Sequence, residues 1–129
     1  LLIPKLPYDP FRDFAPISLL AINPTILCVH PSVPASSVKE LVAYARSKPK
    51  QLNYASAGNG SPIHLGMELF DQRMGIAIEH IPYKGSGPLK TDLLGGQVPL
   101  GFGSLTEMLD HHRAGKLRVL GDDDVFEPA

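Results

Sequence analysis

The sequence lacks the features that mark several common classes of protein. It contains a single cysteine, Cys28, so no disulfide can form within the chain. Its formal net charge is only −1, with no basic excess of the kind that binds nucleic acid or an anionic membrane. No segment has the pattern of a signal peptide, and every apolar run is far shorter than the roughly 20 residues of a membrane-spanning helix. What remains is a chain of 129 residues, long enough for one domain with a buried core.

Short apolar runs alternate along the chain with segments of helical periodicity. Helical spacing and capping serines predict helices at residues 37–48, 61–74, 88–94 and 104–114. Extended apolar runs predict strands at residues 15–23, 25–30, 52–56, 78–81, 98–102 and 117–120. In the second helix we expect Leu65, Leu69 and Phe70 to face inward, and in the second strand we expect Cys28 to be a buried apolar side chain. This alternation predicts an α/β fold with a mostly parallel sheet and flanking helices.

Three predicted strand-to-helix junctions combine glycine with a hydroxyl residue. They are residues 56–62 (SAGNGSP), 83–88 (YKGSGP) and 101–104 (GFGS). Glycine lets a ligand approach the backbone, and the first N–H groups of a helix attract anions. Because ligands of parallel sheets lie beyond the carboxyl ends of the strands, we expect the junctions to meet at one edge and bind an anion. The candidate ligand-binding residues are Ser56, Gly58, Asn59, Gly60, Ser61, Tyr83, Lys84, Gly85, Ser86 and Ser104.

A purely structural role is open for most of these residues. Ser61 and Ser104 are placed to cap helices, which leaves their remaining lone pairs free for a ligand. Gly58 and Gly60 are compatible with an ordinary turn, and Lys84 with a solvated loop. The sequence alone does not decide between a structural role and a ligand-binding role for these residues.

Motifs of catalysis and of cofactor binding are missing from the glycine loops. Ile63 occupies the place of the third glycine of a dinucleotide fingerprint, and no Lys-Ser/Thr pair ends a phosphate loop. Ser61 and His64 lie at a helix start, without the Gly-x-Ser-x-Gly turn that exposes a nucleophile. His64 and Glu68 are four residues apart on one helix, but two ligands do not make a metal site. The sequence therefore predicts a binding protein, with no catalytic residue, no metal and no cofactor.

Several segments together resemble the receptors of tripartite tricarboxylate transporters, also called Bug-type extracytoplasmic solute receptors. They are residues 6–10 (LPYDP), 13–20 (DFAPISLL), 30–32 (HPS), 52–62 (LNYASAGNGSP), 82–86 (PYKGS), 92–98 (DLLGGQV) and 114–118 (AGKLR). They follow one another in the family's order from about residue 1 to residue 120. The two glycine loops are specific in combination.

The resemblance implies one lobe of a type II periplasmic-binding-protein fold that binds a small carboxylate through backbone groups and waters. It implies a periplasmic location and membrane transporter subunits as partners, with no role for nucleic acid. We expect residues 1–23 to be a crossover segment from a first lobe, residues 24–120 to be the solute-binding lobe, and residues 121–129 to be a divergent tail. The tail departs from the family after Leu120, and Gly103-Ser104 stands where many relatives have a polar pair beginning with Asp.

A second function is compatible with the same residues. A lobe without its partner, as this chain is expected to be, would be a remnant or an interaction domain with no ligand. The apolar N-terminal residues 1–23 have no evident place in a single lobe. They lead us to expect a homodimer formed by strand exchange or edge pairing.

Overall fold

A computed structural model of the chain describes residues 4–22 and 24–120. Strands and helices alternate in the order β1 (Thr25–Val29), α1 (Val38–Ser47), β2 (Asn53–Ser56), α2 (Pro62–Met74), β3 (Glu79–Pro82), α3 (Ser86–Leu94), β4 (Leu100–Ser104), α4 (Leu105–Arg113) and β5 (Arg118–Leu120). The predicted alternation is confirmed from β1 onward. Residues 15–22 are the described part of the first predicted strand, and they pair with no other strand there, so that prediction was wrong. The predicted tail at 121–129 lies outside the described residues.

The sheet has five strands in the order β3-β2-β4-β1-β5. Strand β2 pairs in parallel with β3 and with β4. Strand β1 pairs antiparallel with β4 on one side and β5 on the other. It follows that β2, β3, β4 and β5 all run in one direction and that β1 alone is reversed. The α/β fold with a mostly parallel sheet is confirmed, with one inserted antiparallel strand that the sequence did not predict.

Local signals explain where the helices begin and end. Ser37 accepts the backbone N–H of Glu40 at 3.2 Å, and the Glu40 carboxylate accepts that of Ser36 at 2.6 Å, which satisfies N–H groups at the start of α1. Helix α2 begins with Pro62 and ends at Met74, and it is capped by Gly75, whose φ of 62° is the left-handed conformation that closes a helix. These caps explain the agreement between the predicted and observed helix limits.

Helix α2 faces the sheet with a different side from the predicted one. Phe70 is buried as expected, but Leu65 and Leu69 are about half exposed, at 50% and 48%. The second buried apolar side chain is Met67, and Ile63 packs partly against the same core. Positions 63, 67 and 70 form one helical stripe, and positions 65 and 69 form another. Both stripes are apolar, so the sequence did not decide between them.

Helices cover both faces of the sheet. On one face, Leu41 of α1 and Met67 of α2 pack with Leu27, Tyr54 and Leu100 of the strands. On the other face, side chains of α3 and α4 pack against the sheet in two smaller clusters that contain Cys28, Leu93, Met108 and Leu117, and Ala55, Leu89 and Val98. Burial raises the pKa of the Cys28 thiol to about 12, in agreement with its predicted role as an apolar side chain. Within the described residues no helix has both the length and the apolarity needed to cross a membrane.

Candidate ligand-binding site

Three parallel strands end at the same edge of the sheet. The β2–β3 pairing puts Ser56 opposite Pro82, so these two strands finish side by side. Strand β4 runs parallel to β2 and ends at Ser104. Helices α2, α3 and α4 begin just after these ends. The common edge expected from the sequence is therefore present.

The two glycine loops lie against each other. The backbone N–H of Tyr83 donates to the Ser56 carbonyl at 2.9 Å, and that of Gly85 donates to the Ala57 carbonyl at 3.2 Å. Gly58 has a φ of 139°, and a Cβ placed on it would lie 3.5 Å from the Tyr83 carbonyl oxygen. A conformation that L side chains rarely adopt thus holds the loops in contact.

Several of the predicted anion-binding N–H groups already have acceptors inside the first loop. The N–H of Gly58 donates to Ser56 Oγ at 3.2 Å, that of Gly60 to His64 Nδ1 at 3.0 Å, and that of Ser61 to the Gly58 carbonyl at 3.2 Å. These groups shape the loop.

Other N–H groups of the same two loops are available. Among the described residues, no acceptor is found for the backbone N–H groups of Asn59, Ser86 and Gly87. The cap of α3 is Gly85, which provides no side-chain hydrogen bond, so the first turn of this helix keeps its donors free. The positive end of the α3 dipole lies at the same place. Free donors and a helix N-terminus together form an arrangement suited to an anion.

The side chains at this edge differ in the hydrogen bonds that they already make. Ser61 Oγ accepts the His64 N–H at 3.3 Å and so caps α2. The Tyr83 hydroxyl donates to Asp92 Oδ2 at 2.8 Å, and burial, followed by this bond and the charge of Asp92, raises the pKa of Tyr83. Lys84 is exposed. Lys84 adds the positive charge that an approaching anion would meet.

Ser104 has a different environment from the glycine loops. Its hydroxyl accepts the Glu107 N–H at 3.3 Å, donates to Glu107 Oε2 at 3.1 Å and lies 3.2 Å from Thr106 Oγ1. All these partners belong to the first turn of α4. The Glu107 carboxylate already occupies the positive end of that helix dipole. Ser104 shares the edge with the other candidates, but a negative charge stands beside it.

A histidine that the sequence analysis passed over supports the first loop. His80 Nε2 lies 2.6 Å from Ser56 Oγ, and the His80 ring stacks on the His64 ring with centroids 3.9 Å apart. Burial, followed by the charge of His64, lowers the pKa of His80, while Glu68 acts in the opposite direction. His64 Nε2 lies 3.7 Å from Glu68 Oε1, and no group of three metal-ligating side chains occurs in the described part of the chain. The two rings come from α2 and β3, so only the tertiary fold brings them together.

Strand β1 begins and strand β5 ends at this same edge. The register places Thr25, the first residue of β1, opposite Ser104, and places Leu27 opposite Leu120, the last residue of β5. The Pro24 carbonyl accepts the N–H of Leu105 at the start of α4. The start of β1 and the end of β5 therefore lie beside the ends of the strands that carry the glycine loops.

Curated relatives match nearly all of the chain. Protein BugT of Bordetella pertussis is 40% identical over 119 residues, which are 92% of this chain and 36% of BugT. A protein encoded in an intergenic region of Pseudomonas sp. is 36% identical over 118 residues, and the chain covers 35% of it. The chain thus spans about a third of the length of these relatives.

Solved structures match the fold as well. The protein Rpa4515 of R. palustris, solved with adipate, superposes with a TM-score of 0.86 at 39% identity, over 94% of this chain and 40% of that protein. MatC of Rhodopseudomonas palustris, solved with bound malate, gives a TM-score of 0.79 at 30% identity, over 92% and 40% respectively. Residues 1–124 match the family described as tripartite tricarboxylate transporter family receptor. The chain belongs to this receptor family.

Proposed function

We propose that this chain is the solute-binding lobe of an extracytoplasmic receptor and that it binds a small carboxylate at the two glycine loops. The observation that carries the proposal is a set of N–H groups without an acceptor among the described residues: that of Asn59 in the first glycine loop, and those of Ser86 and Gly87 at the N-terminus of α3. Relatives of this chain were solved with adipate and with malate. Both ligands are dicarboxylates, so each offers a carboxylate group as the acceptor for the free N–H groups of the site.

The start of β1 and the end of β5 at the binding edge support an assignment of residues to two lobes. Residues 1–23 lead to a first lobe and residues 24–120 form the second, so that a ligand at this edge lies between the two. The receptor would deliver the carboxylate to membrane transporter subunits from the periplasm. The candidates Ser56, Gly58, Gly60, Ser61 and Gly85 then shape the loops.

The isolated lobe should bind a carboxylate with low affinity. Closure of a first lobe normally removes water from the ligand and supplies further hydrogen bonds. At about 1 kcal/mol for each hydrogen bond, and somewhat more for charged ones, the loss of three or four weakens binding by about a hundredfold to several thousandfold. A receptor with micromolar affinity would fall toward millimolar affinity as a single lobe.

Ligand-observed saturation-transfer NMR suits an affinity of this size. We expect malate and adipate to receive saturation from the protein, and excess unlabelled ligand to compete the signal away. Gly87→Val should weaken binding about tenfold to a hundredfold, because a branched side chain covers N–H groups worth about 1.5–3 kcal/mol each to a charged acceptor. Apart from its chain neighbours, a Cβ at position 87 meets nothing within 4 Å, and the φ there is not positive. Because a branched residue before Pro88 disfavours the helical conformation, circular dichroism should first verify that the variant keeps the fold.

The matched control is Gly66→Val. Gly66 is also an exposed helical glycine with nothing within 4 Å of an added Cβ, but it lies on α2 away from the loops. It should leave the binding signal unchanged. Equal binding by both variants, or no binding by the unchanged chain at millimolar ligand, would contradict the proposal. Gly60→Val is less informative, because the φ of 77° at Gly60 strains any branched residue.

A second candidate function, self-association, is favoured by residues 4–22. Their most exposed apolar side chains are Phe11 at 89%, Ile17 at 98% and Leu20 at 94%. Without a first lobe, a second copy of the chain could cover them. The double substitution Ile17→Ser and Leu20→Ser should then shift sedimentation from dimer to monomer. A monomer at high micromolar concentration before any substitution would contradict self-association and leave the solute-binding proposal intact.

A further inference from the structure

The first glycine loop is attached to the lobe through two stacked imidazoles. His64 Nδ1 accepts the Gly60 N–H at 3.0 Å, and His80 Nε2 contacts Ser56 Oγ at 2.6 Å. The Ser56 hydroxyl in turn accepts the Gly58 N–H at 3.2 Å and donates to the Gly58 carbonyl at 3.1 Å. One imidazole thus holds each end of the segment 56–60.

The bond from Gly60 defines the tautomer of His64. A nitrogen that accepts an N–H carries no proton, so the His64 ring is neutral, with its proton on Nε2 on the side of Glu68. In the 2.6 Å contact between Ser56 Oγ and His80 Nε2, the tautomer of His80 determines which atom donates. With a ring separation of 3.9 Å, two positive charges would repel strongly.

The charged and titratable groups around the pair come from three elements. Glu68 lies one turn along α2 from His64, at 3.7 Å, and Tyr54 of β2 donates to Glu68 at 3.2 Å and stacks on His80 at 5.0 Å. Asp71 of α2 acts on Tyr54 and lies one turn beyond Glu68. Burial and the neighbouring ring oppose a proton on His80. The Glu68 carboxylate is the acidic group that lies 3.7 Å from His64 Nε2.

We propose that His64 is a positioning residue for the binding loop: its neutral imidazole fixes the Gly60 N–H inside the loop, and its protonation releases that group. A proton on Nδ1 would set two donors against each other at 3.0 Å and end the bond. The Glu68 carboxylate, 3.7 Å from His64 Nε2, would face the positive charge of the protonated ring. The consequence for ligand rests on the proposed function. The loop that presents the Asn59 N–H would lose its support as the pH falls, and carboxylate affinity would fall with it.

The loop can be tested without any ligand. In an NMR pH titration of the full chain, the Gly60 amide signal should move with the same midpoint as the His64 ring. Exchange of the Gly60 amide with water, corrected for its ordinary pH dependence, should rise about fivefold through that midpoint, a factor that corresponds to about 1 kcal/mol. A Gly60 amide that stays unchanged while the His64 ring takes up its proton would overturn the proposal.

Two substitutions separate positioning from a general effect on folding. His64→Gln provides a carbonyl acceptor that does not titrate, so the Gly60 response to pH should disappear while core amides keep their protection. His112→Gln is the control, because His112 Nδ1 also accepts a backbone N–H, that of Val119, at 3.3 Å on a different helix. It should leave the Gly60 response unchanged. A Gly60 response that persists in His64→Gln, or vanishes in His112→Gln, would overturn the proposal.

Ligand titrations distinguish this inference from the proposed function. If the Gly60 amide follows His64 but malate and adipate bind at no pH, the positioning role stands and the proposed function fails. If the ligands bind with an affinity that is the same above and below the His64 midpoint, the proposed function stands and the link from His64 to ligand is overturned.

Discussion

The apolar side chains of residues 24–120 and those of residues 4–22 differ in their burial. In the first region Leu41, Leu93 and Leu100 are completely buried between the sheet and its helices. In the second, Ile17 is 98% exposed and Leu20 is 94% exposed. Composition alone does not separate the two regions, because both are rich in leucine and isoleucine. Residues 24–120 therefore bury an apolar core of their own, to which these side chains of residues 4–22 do not contribute.

The largest expected effect separates the two regions by stability. Leu41→Ala should lower the free energy of unfolding by about 2–5 kcal/mol, because it leaves a cavity in a core that is fully packed. Ile17→Ala should change it by no more than about 0.5 kcal/mol. Urea unfolding followed by circular dichroism measures both. A loss above about 1 kcal/mol for Ile17→Ala would show that the segment belongs to the folded core and would end the comparison.

The buried carboxyl group of Asp71 provides a second test of stability within the lobe. Asp71 is only 8% exposed, and its Oδ2 accepts the N–H of Ile78 at 2.7 Å. Asp71→Ala leaves that buried N–H without an acceptor and should cost about 1–3 kcal/mol. Asp71→Asn keeps an acceptor and should cost less. Urea unfolding of the two variants at neutral pH gives the ranking, and an equal cost for both would contradict the role assigned to the Ile78 bond.

The pH dependence of stability tests the same group. Burial raises the pKa of Asp71, the bond from Ile78 lowers it, and the charge of Glu68 raises it, with a net shift upward. The folded state therefore holds this proton more tightly than the unfolded state. The resulting stability is complete below the unfolded pKa of about 4 and is lost as the pH rises through the folded pKa. Asp71→Asn should remove this dependence, and a pH profile that is identical in the variant would contradict the shift.

The smallest expected effect concerns the exposed face of α2. A Cβ at Gly66 meets nothing within 4 Å, so Gly66→Ala should raise the stability by about 0.5–1 kcal/mol through helix propensity. Gly75 has equal space but a φ of 62°, so Gly75→Ala should lower the stability by about 1–2 kcal/mol. Thermal unfolding of the two variants measures the expected gain in stability and the expected loss. A loss of stability in Gly66→Ala would mean that this face of α2 is in contact with something else.

Local sequence signals predicted much of the fold. Ser37, Ser61 and Ser104 cap the helices that they were expected to cap, since each cap depends on residues three positions away. The reversed direction of β1 was not predictable, because a run of apolar residues has no direction. The buried face of α2 was assigned wrongly because two apolar stripes compete there. Such choices are made by packing against distant residues.

The candidate site was predictable only at the level of its loops. Glycine and serine at the strand ends predicted the edge, and the register of β2 with β3 brings two of the loops together. Which N–H groups remain free depends on bonds such as Gly60 to His64, which the glycine pattern does not contain. His80 was missed because its contact with Ser56 bridges two strands. Side-chain partners across strands require the tertiary fold.

The most direct test of the proposed site is a map of backbone amide shifts in the isotope-labelled chain during titration with malate and with adipate. The account expects the largest changes at Asn59, Ser86 and Gly87, with saturation in the millimolar range and little change at Ser104 beside Glu107. Shifts confined to exposed lysines or to the start of α4, or no shifts while the fold stays intact, would contradict carboxylate binding at the glycine loops.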